Sequence, residues 1–159
     1  MAQLGWLTDI HLNFLSFAQR RAFYQDLCGA GLDALLIGGD IGEAASLEQY
    51  LAELEAAFPG PIYFVLGNHD FYRGSIRRVR QRVARQVANS PRLCWLSMEA
   101  VVRLSETTAL VGHDGWADGR LGLSARSDVL LNDHFLIEEL SGLEKPELYR
   151  RLAALGDEA

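Results

Sequence analysis

Side chains able to bind divalent cations occur in three short clusters that are about thirty residues apart. The clusters are Asp9 with His11, Asp40 with Glu43, and Asn68 with His69 and Asp70. Carboxylate, imidazole and amide-oxygen donors without thiolates suit hard or borderline divalent cations. Two carboxylates that lie close together repel each other unless a cation neutralises them. Asp40, in the middle cluster, is therefore the natural bridge between two metal ions.

Each cluster directly follows a predicted strand. Apolar runs of strand length end just before the clusters, at residues 4–8, 34–37 and 62–66. Helical patterns separate them, one at 16–28 and one that begins with a capping-box sequence at Ser46. This alternation predicts parallel strands joined by right-handed crossovers. Because ligands of open α/β sheets bind beyond the carboxyl ends of the strands, the three clusters should converge at one edge.

The rest of the chain predicts a third helix, a short β-meander and two C-terminal helices. Apolar residues repeat at helical spacing from Ile76 to Val87, opposite a face of arginines. Short runs at 93–96, 100–104 and 109–111 indicate the meander, and a Gly/Asp-rich loop follows at 112–122. Helical patterns cover 130–140 and 146–155. No linker or repeat divides the chain, so we expect one α/β domain over residues 1–159.

Composition and charge exclude several classes of protein. The net charge of −6 argues against general nucleic-acid binding. No apolar run approaches the ~20 residues that span a bilayer. Without a secretory-signal pattern, and with two cysteines in no metal or redox spacing, we expect a cytoplasmic protein with reduced thiols. Residues 71–98 hold seven arginines and no acidic residue. They form either a solvated helix face or a positive rim that draws phosphate anions.

The three clusters resemble the motifs of the calcineurin-like metallophosphoesterases. LTDIHL at residues 7–12 is similar to the first family block, LLIGGDIGE at 35–43 to the second, and FVLGNHDFY at 64–72 to the third. The resemblance continues more weakly through ALVGHDGWADGR at 109–120. It implies the N-terminal portion of the family's α/β/β/α sandwich. The Gly-Asn-His-Asp run makes the chain more similar to bacterial phosphodiesterase-type members than to the protein phosphatases.

The resemblance also implies a role for each site residue. Asp9 and His11 would ligate a first metal ion, Asp40 would bridge two, and Asn68 would ligate the second. His69 would be the general acid that protonates the leaving oxygen, and Asp70 would orient it. Arg73 and His113 are candidate substrate-binding residues. The implied reaction is hydrolysis of a phosphate mono- or diester of a small phosphorylated substrate, by in-line attack of a hydroxide bound to two divalent ions (Mn, Fe or Zn).

The sequence departs from the family in its later half. The family completes its metal site with a lone histidine and a Gly-His-x-His motif, but the four histidines here are His11, His69, His113 and His134. The domain is therefore expected to be truncated at its C-terminus, completed by another chain, or reduced to partial or no metal occupancy. In the last case it would be a catalytically incompetent binding or regulatory protein. An incomplete second sheet would expose apolar surface and favour a homodimer.

Overall fold

The computed structural model describes residues 3–99, 101–115, 117–121 and 128–157. Its centre is a fully parallel sheet of four strands, in the order β1-β2-β3-β4. These are β1 (Leu4–Leu7), β2 (Ala34–Ile37), β3 (Ile62–Phe64) and β4 (Leu93–Trp95). The predicted α/β class is confirmed, as are the three parallel strands that precede the polar clusters.

The fourth strand corrects one detail of the prediction. Residues 93–96 were expected to open a β-meander, but β4 pairs in parallel with β3, with Tyr63 opposite Cys94. A short apolar run has no feature that separates a parallel from an antiparallel strand. The direction of β4 is set by the helix that precedes it, which returns the chain to the edge of the sheet where the other strands begin. Only β5 (Val102–Arg103) and β6 (Ala109–Leu110) form an antiparallel pair among the described residues.

Five helices accompany the sheet in the described ranges: α1 (Phe17–Gly29), α2 (Leu47–Ala57), α3 (Ile76–Ala88), α4 (Asp133–Leu136) and α5 (Lys145–Asp157). The first three lie side by side, since α1 contacts α2 and α2 contacts α3. Each presents apolar residues to the core, such as Leu51 of α2 and Val79 of α3, and α5 adds Leu148. The predicted first C-terminal helix is shorter than expected. None of these helices has the length and apolarity needed to cross a bilayer.

The capping box was predicted at the wrong helix. Ser46 makes no side-chain hydrogen bond to the first turn of α2 and instead contacts Glu43. The box is found at α1, where the Ser16 backbone donates to the Gln19 side chain and the Gln19 backbone donates to Ser16 Oγ. A serine followed three residues later by Gln precedes both helices, so the pattern alone does not show which of them forms the box.

The two faces of the sheet differ in their exposure. Strand residues alternate between faces, and the register aligns the buried Ile37, Phe64 and Trp95 in one row. The neighbouring row, on the opposite face, runs from Trp6, which is 79% exposed, to the half-buried Tyr63. The helices thus cover one face more completely than the other. The expected homodimer through the incomplete second sheet stays a prediction.

Candidate metal centre

The loops after β1, β2 and β3 meet at the carboxyl edge of the sheet. The Asp9 backbone N–H donates to the Gly39 carbonyl over 3.2 Å, and the His11 N–H donates to the Asp40 carbonyl over 2.9 Å. Three of the predicted ligands have left-handed backbone, with φ of 52° at Asp9, 40° at His11 and 52° at Asp40. Such conformations cost of order 1–3 kcal/mol each and concentrate at functional sites.

Asp40 lies between two histidines at the centre of this edge. Its Oδ2 is 3.9 Å from His11 Nε2 and 4.0 Å from His69 Nε2. One ligand atom from each of the three residues lies within 4.8 Å of the others. The Asp40 carboxylate also accepts the His69 backbone N–H at Oδ1, over 3.0 Å. The sequence prediction that these residues converge is therefore reproduced.

Burial disfavours the ionised form of the Asp40 carboxyl. It raises the pKa of the Asp40 carboxyl, and nearby Asp9 adds to the increase. The His69 N–H and the imidazoles of His69 and His11 oppose it. Because a bound cation favours an ionised carboxylate, it would relieve this penalty. Nδ1 of His11 is buried and has no hydrogen-bond partner in the described part of the chain. The carboxylate and imidazole donors around Asp40 fit a divalent metal ion.

Asp70 connects the loops that follow β2 and β3 through hydrogen bonds. Its Oδ1 accepts the backbone N–H groups of Ile41 and Gly42, and its Oδ2 accepts that of Gly67, each over 2.9 Å. Burial raises the pKa of Asp70 to about 7, against the opposing effect of these hydrogen bonds. The expected hydrogen bond to the His69 ring is not among them. Within the described residues, Asp70 fixes the loop that carries Asp40 rather than contacting the proposed general acid directly.

Gly67 provides the space in which the Asp40 carboxylate lies. A Cβ at this position would be 2.0 Å from Asp40 Oδ1 and 2.5 Å from the Asp40 backbone nitrogen. Real Cβ atoms do not approach other atoms this closely, so any side chain here must displace Asp40. Glycine is thus required by a close approach between two loops.

Replacing Gly67 with alanine is expected to weaken metal binding by about 10- to 100-fold, because the Asp40 carboxylate must move. Isothermal titration with Mn²⁺ measures the effect. Gly29→Ala is the matched control, since a Cβ there meets nothing within 4 Å and Gly29 lies in α1. The control should bind Mn²⁺ like the parent protein. Equal affinity in both variants would show that the position of Asp40 does not govern binding.

Asn68 contacts two residues that the sequence did not single out as site residues. Its Nδ2 donates to Asp133 Oδ1 over 2.7 Å and to the Tyr72 hydroxyl over 3.2 Å. Tyr72 also stacks on the His69 ring, with centroids 4.2 Å apart. Tyr72 is the last residue of the third motif, two positions after Asp70. Asp133, in contrast, is 65 positions from Asn68 and belongs to no pattern that points to the site.

An open cleft of about 340 Å³ adjoins the centre. Its walls include Asp9, Asp40, Asn68, His113 and Asp133. The loop bearing His113 is fixed by its neighbour Asp114, whose buried Oδ1 accepts from the Leu66 N–H and the Trp95 indole N–H. His113 therefore faces the same cleft as the metal-ligand candidates. Trp116 of this loop lies outside the described residues.

Arg73 lies outside the cleft wall. It forms an ion pair with Glu43, and its side chain is 63% exposed. The following helix carries further arginines that also meet acidic neighbours, Arg78 with Glu138 and Arg82 with Glu48. These ion pairs partly neutralise the arginine-rich face.

The fold and the site define an α/β protein with a cation-binding cluster at the carboxyl edge of a parallel sheet. The family model for calcineurin-like phosphoesterases matches residues 3–151. The chain therefore belongs to the calcineurin-like phosphoesterase family, as its three motifs predict. Comparison with curated protein sequences gives no significant match.

Among solved structures, the chain is similar to the phosphopantetheinyl hydrolase PptH from Mycobacterium tuberculosis, with a TM-score of 0.67 and 15% sequence identity. The match covers 97% of this chain and 61% of that one. At this identity the likeness shows a shared fold. The chain thus spans somewhat more than half the length of this relative.

Proposed function

We propose that the protein is a metal-dependent phosphoesterase that hydrolyses a phosphate mono- or diester of a small phosphorylated substrate. The convergence of Asp40 with His11 and His69, beside an open cleft, carries this proposal. Family membership supports hydrolysis of a phosphoric ester as the reaction class. Asp9, His11 and Asp40 all have left-handed backbone, a conformation that concentrates at functional sites. This conformation favours a cation-binding site over a purely structural polar cluster.

Four side chains would hold divalent ions, which are Mn, Fe or Zn by the family resemblance. Asp9 and His11 would bind one ion, Asn68 a second, and Asp40 both. Ions bound there would act as Lewis acids, activate water and neutralise charge on the phosphoryl oxygens. The protein's own contribution is the fixed position of Asp40, which receives the His69 N–H at one oxygen and has both imidazoles near the other.

His69 would hold the proton needed by the leaving oxygen. Its ring is stacked on Tyr72, and its side chain is 31% exposed, so one edge remains accessible from solvent. His113, on the cleft wall, would contact the substrate. Arg73 would have to exchange Glu43 for a phosphate oxygen to do the same.

Hydrolysis of p-nitrophenyl phosphate and bis-p-nitrophenyl phosphate tests the proposal. We expect release of nitrophenolate above the uncatalysed rate in Mn²⁺, loss of the activity in EDTA, and recovery on adding Mn²⁺. A parallel titration measures metal binding. Tight binding of Mn²⁺, Fe²⁺ or Zn²⁺ without hydrolysis of either ester would contradict the proposed phosphoesterase activity. It would instead support a protein that binds metal without turnover.

A further inference from the structure

We propose that Asp133 is a positioning residue, which holds the Asn68 side chain so that its Oδ1, rather than its Nδ2, is presented as the metal ligand. This inference rests on the proposed function, because Asn68 must bind an ion for its orientation to matter. Asp133 lies in α4, far from the three motifs in sequence.

Three side chains form a closed set of contacts. Asp133 Oδ1 accepts the Tyr72 hydroxyl over 2.6 Å and Asn68 Nδ2 over 2.7 Å, and Nδ2 is 3.2 Å from the Tyr72 oxygen. The set is shielded from water, since Asp133 is 3% exposed and Tyr72 is 5% exposed. Within the described residues, both hydrogen bonds of the Asn68 side chain are donated by Nδ2. Oδ1 is therefore the atom left available to a cation.

The number of available protons selects this orientation. Asp133 Oδ1 is the acceptor of both hydrogen bonds, and a phenol has one proton to donate. Tyr72 gives its proton to Asp133, so the Asn68 amide must supply the other. Rotating the amide by 180° would place its oxygen 2.7 Å from Asp133 Oδ1 with no proton between them. An amide group without such a partner has little to distinguish its two orientations.

The segment that carries Asp133 is anchored to the third motif. The Arg73 N–H donates to the Leu136 carbonyl over 2.7 Å, and the Glu138 N–H donates to the Gly74 carbonyl over 3.0 Å. Gly74 and Ile137 form a parallel bridge. Residues 133–139 therefore move with the turn that holds Asn68 and His69. Groups that hydrogen-bond to metal ligands and orient them typically change metal affinity 10- to 100-fold when they are removed.

A double-mutant cycle on Mn²⁺ affinity tests the inference. Asp133→Leu, which removes the acceptor of the Asn68 amide and keeps a similar volume, should lower affinity by about 10- to 100-fold in the parent protein. In the Asn68→Ala background, the same substitution should change affinity by less than about twofold, because the ligand it positions is gone. Glu139→Gln is the matched control. It alters another carboxylate of the same segment, one that accepts the Ile76 N–H and has no contact with Asn68, so Mn²⁺ affinity should be unchanged.

A second measurement does not depend on metal or on a variant. In the metal-free parent protein, NMR should find the Asn68 side-chain amide protons protected from exchange, since they are donated to buried acceptors. Exchange as fast as that of an exposed asparagine would overturn the inference. An unchanged affinity in Asp133→Leu, or an equal loss in both backgrounds, would also overturn it. In either case, Mn²⁺ binding by the parent protein would leave the proposed function intact. A parent protein that binds no metal would overturn both.

Discussion

Replacing Asp40 with asparagine is expected to abolish cation binding while leaving the metal-free protein at least as stable as its parent. The substitution keeps the shape of the side chain and its acceptor for the His69 N–H. It removes the charge that would bridge two ions. Loss of several kcal/mol of charge stabilisation corresponds to roughly 10²- to 10⁴-fold slower hydrolysis.

The expected stability of the metal-free Asp40→Asn variant follows from the raised pKa of Asp40. Because the folded pKa exceeds the unfolded one, the native state binds more protons between the two values, and the group lowers stability as pH rises through that window. A neutral asparagine removes this loss. Thermal unfolding in EDTA should therefore give an equal or higher melting temperature above that window.

The same variant should lose stabilisation by metal. At 100 times the dissociation constant, a ligand that binds only the native state adds ~2.7 kcal/mol to the free energy of unfolding. The parent should gain this in Mn²⁺, and Asp40→Asn should not. Asp26→Asn is the matched control, since Asp26 is an exposed carboxylate on α1. A full Mn²⁺ shift in Asp40→Asn would exclude Asp40 as a ligand.

The site residues that lie at strand ends could be predicted from the sequence. Asp9, Asp40 and Asn68 each follow an apolar run, and parallel pairing brings such positions together whatever the rest of the chain does. The helix of α3 was equally clear, because Val79 and Val83 are buried at helical spacing opposite arginines. Local pattern and global fold agree in these segments.

The contributions that the sequence did not reveal are long-range. Asp133 reaches Asn68 across 65 positions, and only the packing of residues 133–140 against the turn after β3 brings it there. The direction of β4 likewise depends on the whole of α3 rather than on the composition of the strand. Asp70 belongs to the motif, yet its three backbone partners lie on two different loops. Hydrogen bonds of this kind have no periodicity to detect.

Replacing His69 with glutamine is expected to separate proton transfer from metal binding. The imidazole lies close enough to Asp40 and His11 to serve either as a ligand or as an acid. The backbone N–H that fixes Asp40 survives the substitution. If His69 is the general acid, kcat should fall by about 10²- to 10⁴-fold for an alkyl phosphate ester, whose leaving oxygen needs a proton.

Substrates with different leaving groups make the distinction sharp. Nitrophenolate leaves without protonation, so kcat for p-nitrophenyl phosphate should fall far less than kcat for the alkyl ester. Mn²⁺ affinity should stay within about twofold of the parent, since Asp9, His11, Asp40 and Asn68 are unchanged. Equal losses for both esters, together with weaker Mn²⁺ binding, would instead make His69 a ligand. The ratio of the two kcat losses therefore assigns the role of His69, because only a proton donor responds to the basicity of the leaving oxygen.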